Sequence, residues 1–301
     1  MAGIKPPPLD VSAISATGGT ARPLSQPRDA WGLVALPIIL FLVVFFAYPT
    51  VLTLLRAFTH FDAPEVDGLD NISWALNGGA NRTILIRTFV VAGLCTVFSA
   101  LLAFPYAYLM TKVSIRWQTV MMGLLLVSMF FGILLRNFSW VVLFQMQGPL
   151  NDLISALGFE RVRMLGTSPA VLMGMTHVLF PFMALPLYSV LKGIDPQLTL
   201  AAQSLGATPR NAFLQVYLPL AVPGLFAGAL LVFVLALGFY ITPAILGSPK
   251  QSLISQVLYE QFDGSAAFGR SGALAVVLLA TTMAFVSLAN ALLKRSKAYE
   301  G

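Results

Sequence analysis

The chain has 301 residues, 57% of them hydrophobic and only 10% charged, with a mean hydropathy of +0.83. Soluble domains carry about 25% charged residues, so a water-soluble fold is excluded: no single core could hide this much apolar surface. The formal charge of +6 and pI near 9.6 do not point to nucleic acid, because the basic residues are scattered at the ends of apolar runs, without a stripe or interleaved aromatics. Cys95 is the single cysteine, which excludes an internal disulfide and a cysteine-based metal site.

In chain order, residues 1–29 are rich in Pro, Ser, Gly and Ala and read as a mobile tail. The apolar run 32–55 is too long for a signal-peptide core. No small-residue cleavage site precedes Tyr48 and Pro49, so it is expected to stay as a first membrane span. Further runs of about 20 apolar residues follow at 84–110, 117–144, 169–191, 221–246 and 272–293. The expectation is an all-α membrane protein of six transmembrane helices over 30–294, since lipid satisfies no backbone polar group, followed by a short tail, 295–301. Pro105, Pro181, Pro186 and Pro243 fall inside these runs and mark kinks. His60 lies in a loop, while His177 within the fourth run reads as a packing histidine. Arg136, beside Asn137 near one end of the third run, is the most deeply placed charge; its ordinary reading is a side chain that snorkels to the interface. Two loops, 149–158 and 252–262, carry amphipathic helix patterns that end at Gly158 and before Gly264. With both termini inside, the whole charge of +6 falls on the inner segments and the outer ones balance to zero. Segment 192–220 is then cytoplasmic.

That segment is the most structured of the loops. Asp195-Pro196 reads as an N-cap with Pro at the first helical position, and Gly206 as a helix stop. Thr208-Pro209 repeats the cap, and Pro219 is expected to end the second piece. Two short helices joined at a glycine turn follow from this, with Leu198, Ala201, Ala202 and Leu205 on one face of the first and Phe213, Val216 and Tyr217 on one face of the second.

The spacing of Ala201, Ala202, Leu205, Gly206 and Ala207, then Leu218, Pro219, Pro223 and Gly224, resembles the EAA loop of type I ABC importer permeases. Further stretches resemble the spermidine/putrescine permease branch, in its B-type subunit: 135–140 (LRNFSW), 148–151 (GPLN), 177–182 (HVLFPF) and 237–247 (LGFYITPAILG). The resemblance implies a permease subunit of the bacterial inner membrane that moves a small solute, such as spermidine or putrescine, by alternating access. Other members of the branch serve organic anions, phosphonates or metal ions. It also implies a second permease subunit, two ATPase subunits that carry the ATP and Mg, and a soluble substrate-binding protein, with no cofactor on this chain itself. Asp195, Leu200, Ala201, Ala202, Gln203, Ser204, Leu205, Gly206, Ala207, Thr208 and Pro209 would then form the coupling helix that docks on an ATPase. Two positions depart from the family pattern: Leu200 stands where a Glu is usual, and Gln203 where a basic residue is common. The outer loops of such permeases meet the binding protein.

No phosphate-binding G-x-x-x-x-G-K-[ST] is present, nor G-x-S-x-G or H-E-x-x-H, so the sequence reads as a transport subunit rather than an enzyme. No buried acidic chain for proton coupling and no inverted repeat is evident, which disfavours an ATPase-independent secondary transporter. Arg136, Phe239, Tyr240 and Thr242 are the candidates for the substrate path, the last three because polar groups at the Gly238 to Pro243 interruption need protein or water around them.

Overall fold

The structure is a computed structural model that describes residues 30–59, 69–264 and 267–298. The tail 1–29 and His60 lie outside these, and so do residues 299–301. The chain divides into two units, 1–51 and 52–301. Every described element is helical.

Helix α1 (Ala30–Leu42) of the first unit passes into a five-residue π segment, Val43–Ala47, and then into α2 (Tyr48–Thr59), whose residues from Leu52 on belong to the second unit. The wide turn has a local cause. Pro49 lacks the N–H that would bond the carbonyl of Phe45, and its ring would crowd that carbonyl; a π turn containing Phe45 re-aims it. The stretch Ala35–Phe58 has a mean hydropathy of 2.6 and none of its most apolar window is buried. Phe45 and Phe46 are each 69% exposed, which suits a lipid-facing helix.

The second unit adds α3 (Asp70–Asn77), α4 (Gly79–Lys112), α5 (Ile115–Phe130), α6 (Ile133–Phe144) and α7 (Pro149–Ala156). After these come α8 (Ser168–Lys192), α9 (Pro196–Ser204), α10 (Pro209–Ala212), α11 (Leu218–Leu237), α12 (Ile241–Leu246), α13 (Ile254–Tyr259) and α14 (Phe268–Ala298). The core is the packed trio α4, α8 and α11. Small side chains let the backbones close, since lipid gives no hydrophobic drive to bring helices together. On α4 they recur at each turn, as Ala92, Cys95, Ser99, Ala103 and Ala107, all fully buried. On α11 a Cβ at Gly224 would sit 2.7 Å from Cβ of Val190, and one at Gly228 would sit 2.9 Å from the carbonyl oxygen of Met183. A second cluster joins Ala57 of α2, Ala75 of α3 and Ile254 of α13 to Ala273, Leu274 and Val277 of α14.

Among the described residues, five helices are long and apolar enough to cross a membrane, and a sixth span exists if the bent pair starting at α5 is one. Three expectations need correction. The run 117–144 is not one helix: α5 and the helical stretch after it meet at 95°, broken at Phe131 and Gly132, whose ψ values of 126° and 134° are extended. The run 221–246 is split at the expected Gly238 interruption, but the break closes before Pro243: α11 ends at Leu237 and α12 starts at Ile241. Finally, Pro219 does not end the second piece of the 192–220 segment. A π segment, Phe213–Tyr217, joins α10 to α11, so helix runs from Pro209 to Leu237. Its cause is that seen at Pro49: the carbonyl four residues before Pro219 belongs to Gln215, inside the wide turn. The C-terminal tail expected from residue 295 is helical as far as Ala298.

Candidate functional site

The segment 195–212 folds as its caps dictate. Asp195 accepts a hydrogen bond from the Gln197 N–H at 2.9 Å, and Thr208 accepts one from the Asn211 N–H at 3.3 Å. Between them Gly206 takes φ of +94°. Its N–H bonds Gln203 O, and the N–H of Ala207 reaches back to Ala202 O, each at 3.0 Å, the pairing of a helix closed by a left-handed residue. Ser204 Oγ returns to Leu200 O at 3.1 Å. The apolar side chains are left uncovered, with Leu200 59% and Leu205 90% exposed. Ala202 and Ala207 are half-buried, while Ala201, Gln203 and Pro209 are exposed. The other flank is anchored: Phe213 and Tyr217 stack at 5.5 Å, and Tyr108 of α4 packs edge-on to both, at 5.6 and 5.3 Å. An exposed knuckle with apolar tips is therefore held on a rigid aromatic base.

A large cavity, about 900 Å³, is walled by α4, α6 and α8. Val91, Phe98 and Tyr106 form one side, with Trp140, Thr176 and His177 opposite. It is almost wholly apolar, and three of its polar side chains are tied down. Trp140 Nε1 donates to His177 Nδ1 at 3.1 Å, which fixes the imidazole tautomer with its proton on Nε2. Tyr106 donates to Met121 O at 2.8 Å. Thr176 donates to Cys95 Sγ at 3.8 Å.

The candidate path residues lie elsewhere. Arg136 and Thr242 sit on α6 and α12, which pack together, and none of the four candidates is among the residues lining the large cavity. Thr242 is fully buried with its hydroxyl unpartnered, held where Gly174 lets α12 approach α8: a Cβ at Gly174 would meet Thr242 Cγ2 at 2.8 Å. Phe239 and Tyr240 engage α13, the first through its carbonyl, which accepts from Ser255 Oγ at 2.7 Å, and the second through a ring contact with Tyr259 at 4.9 Å. Arg136 does not extend its whole head group to an interface; its Nε and Nη1 are buried without a hydrogen-bond partner, and so is Oδ1 of the neighbouring Asn137. The Trp140–His177 pair was not picked out from sequence, because its members are 37 residues apart and nothing local links them.

No family model matches the chain. Relatives do. The spermidine/putrescine transport system permease protein PotB of Haemophilus influenzae is 31% identical over 217 residues, covering 70% of this chain and 76% of its own length. The chain belongs to the ABC importer permease family, in the PotB branch. The inner membrane ABC transporter permease protein YdcU of Escherichia coli is 31% identical to this permease over 274 residues, covering 83% of it and 86% of YdcU. The same fold occurs in the crystal structure of a bacterial ABC transporter involved in the import of the acidic polysaccharide alginate. There the TM-score is 0.71 at 20% identity, with 88% of this permease and 96% of that chain covered.

Proposed function

We propose that this permease subunit forms, with a second permease, the membrane path of an ATP-driven importer in a bacterial inner membrane, with both termini cytoplasmic. Two ATPase subunits hold ATP and Mg, and a soluble binding protein delivers the solute on the other side. The observation that carries this reading is segment 195–212: an uncovered, capped knuckle with apolar Leu200 and Leu205 at its surface, continuous through α10 with the helix that ends at Leu237. ATP-driven closure of the ATPases would move the knuckle, and differential affinity of the inward-open and outward-open states for solute would link hydrolysis to transport. Isolation of the tagged permease from its native membrane tests the assembly. An ATPase chain and a second permease should copurify; their absence from a detergent extract that retains the folded permease sinks the reading.

The PotB relatives bring a polyamine to this chain as the first solute to test. A specific observation supports a second reading, an organic anion: Arg136 carries buried, unpartnered N–H groups, and among the described residues Asp70, Glu160, Asp195, Glu260 and Asp263 fall outside the apolar spans, while Asp152, near the end of the bent pair, is paired with Arg161. A partly buried guanidinium without a counter-charge favours a nearby anion, so an anionic solute would be stabilised there while a dication would be repelled. Mass spectrometry of the ligand carried by the cognate binding protein separates the two.

A further inference from the structure

A second cavity, of about 170 Å³, lies where α4 and α8 end and α9 begins. Its character is opposite to that of the large one. Lys112, Gln118, Tyr188, Lys192, Thr199 and Tyr217 supply polar groups to its wall. Lys112 Nζ lies 5.4 Å from the ring centre of Tyr108 and 5.9 Å from that of Tyr217, and Lys192 Nζ lies 5.9 Å from that of Tyr188. Among the described residues neither lysine forms an ion pair. Gln118 Nε2 donates to the Tyr188 hydroxyl. The Tyr217 hydroxyl, on a side chain only 6% exposed, lies beside the Thr111 side chain, which also lines the cavity.

Two ammonium groups beside hydroxyl donors, with no carboxylate lining the cavity, are the chemistry of an oxyanion site. Its setting names the source. Just before Gln118, Ile115 and Trp117 are 70% and 64% exposed and flank Arg116 at the start of α5, the apolar, aromatic and basic mixture of a membrane interface. We propose that Lys112, Lys192 and Tyr217 bind the phosphate of an anionic phospholipid whose acyl chains run beside Ile115 and Trp117. Pro196 and Thr199 close the same cavity from α9, so a seated headgroup braces the knuckle. The bracing half rests on the reading of 195–209 as the ATPase-coupling segment, while the binding half stands without it.

The test uses the full chain, with whatever subunits stay bound to it, in nanodiscs of equal phosphatidylglycerol and phosphatidylcholine. Native mass spectrometry after detergent release counts the retained lipids. Phosphatidylglycerol should be retained preferentially, and Lys112→Gln and Lys192→Gln should each lower its retention about five-fold. Thr199→Trp, which fills the cavity and leaves both charges, should do the same, and Lys250→Gln on an exposed turn should not. Equal retention of the two lipids, or unchanged retention in the Lys112→Gln/Lys192→Gln double variant, overturns the site. Displacement of the lipid by millimolar inorganic phosphate overturns the lipid source in favour of a soluble phosphate ester. If the double variant loses the lipid yet its ATP hydrolysis keeps the same dependence on phosphatidylglycerol, the bracing role falls and the binding site remains.

Discussion

Substitution of Gly206 separates backbone strain from docking in a way few positions allow. Its φ of +94° is a conformation in which a residue with a Cβ is strained by about 1–2 kcal/mol. A Cβ built there meets nothing within 4 Å in this chain. Gly206→Ala and Gly206→Leu therefore cost the free permease about the same, and any difference between them must come from a partner that closes over the turn. Strain of that size lowers the population of the native turn relative to alternatives by about 5–30-fold, which weakens apparent docking by at most that factor. The larger side chain adds a direct clash if the turn is seated in a cleft. In proteoliposomes, stimulation of ATP hydrolysis by loaded binding protein should drop partly in Gly206→Ala and be nearly abolished in Gly206→Leu, with both variants inserted normally. Equal, wild-type stimulation in the two would refute both the coupling role and the strain argument. An equal partial loss in both would keep the strain and remove the cleft.

Other consequences are as direct. Gly228→Val should destabilise the purified chain by about 1–3 kcal/mol, because its Cβ would press on the Met183 backbone, whereas Gly93→Ala, with nothing within 4 Å, should be neutral or slightly stabilising; thermal denaturation in detergent ranks them, and equal midpoints would contradict the packing. Since Leu200 stands where a Glu is usual, retention of the ATPase subunits should be insensitive to salt, and Leu200→Glu should bring little gain; dissociation at moderate salt counts against apolar docking. In a Cys95→Ala background, His177→Cys should react readily with small water-soluble thiol reagents through the large cavity, while Thr242→Cys, at a fully buried position, should react only on addition of nucleotide. Inertness of residue 242 in every nucleotide state would take it off the path.

What could be read from the sequence was local chemistry. The Asp195 and Thr208 caps and the Gly206 stop depend on residues within four positions of one another, and each forms as expected. The interruption at Gly238 is visible for the same reason, although Pro243 itself lies inside α12. Register is harder. Whether a proline ends a helix or is absorbed by a wide turn depends on the hydrogen-bond phase of the preceding turn, which composition does not encode, and Pro219 is of the absorbed kind. Gly132 gave no more warning of the bend between α5 and α6 than Gly93 or Gly123, which lie within continuous helices. Contacts between helices were out of reach altogether: the meeting of Trp140 with His177, and the burial of part of the Arg136 guanidinium, follow from how α6, α8 and α12 pack.

The absorbed proline has a mechanical consequence. Had Pro219 ended the helix, a flexible joint would separate the knuckle from the bundle, and a push on Leu200 or Leu205 would dissipate there. Instead the helix that starts at the Thr208 cap runs to Leu237, and at Gly224 and Gly228 it lies so close to α8 that a single added carbon on either would collide. Close-packed backbones shift together or not at all. On the proposed coupling role, a tilt imposed at Pro209 would be carried to α8, the helix that supplies Thr176 and His177 to the large cavity. The π segment between Phe213 and Tyr217 is the weak point of this lever, since wide turns are less regular than the α-helix on either side. It is also where the aromatic base formed with Tyr108 is thickest, so the stacking stiffens the lever where its hydrogen bonding is poorest.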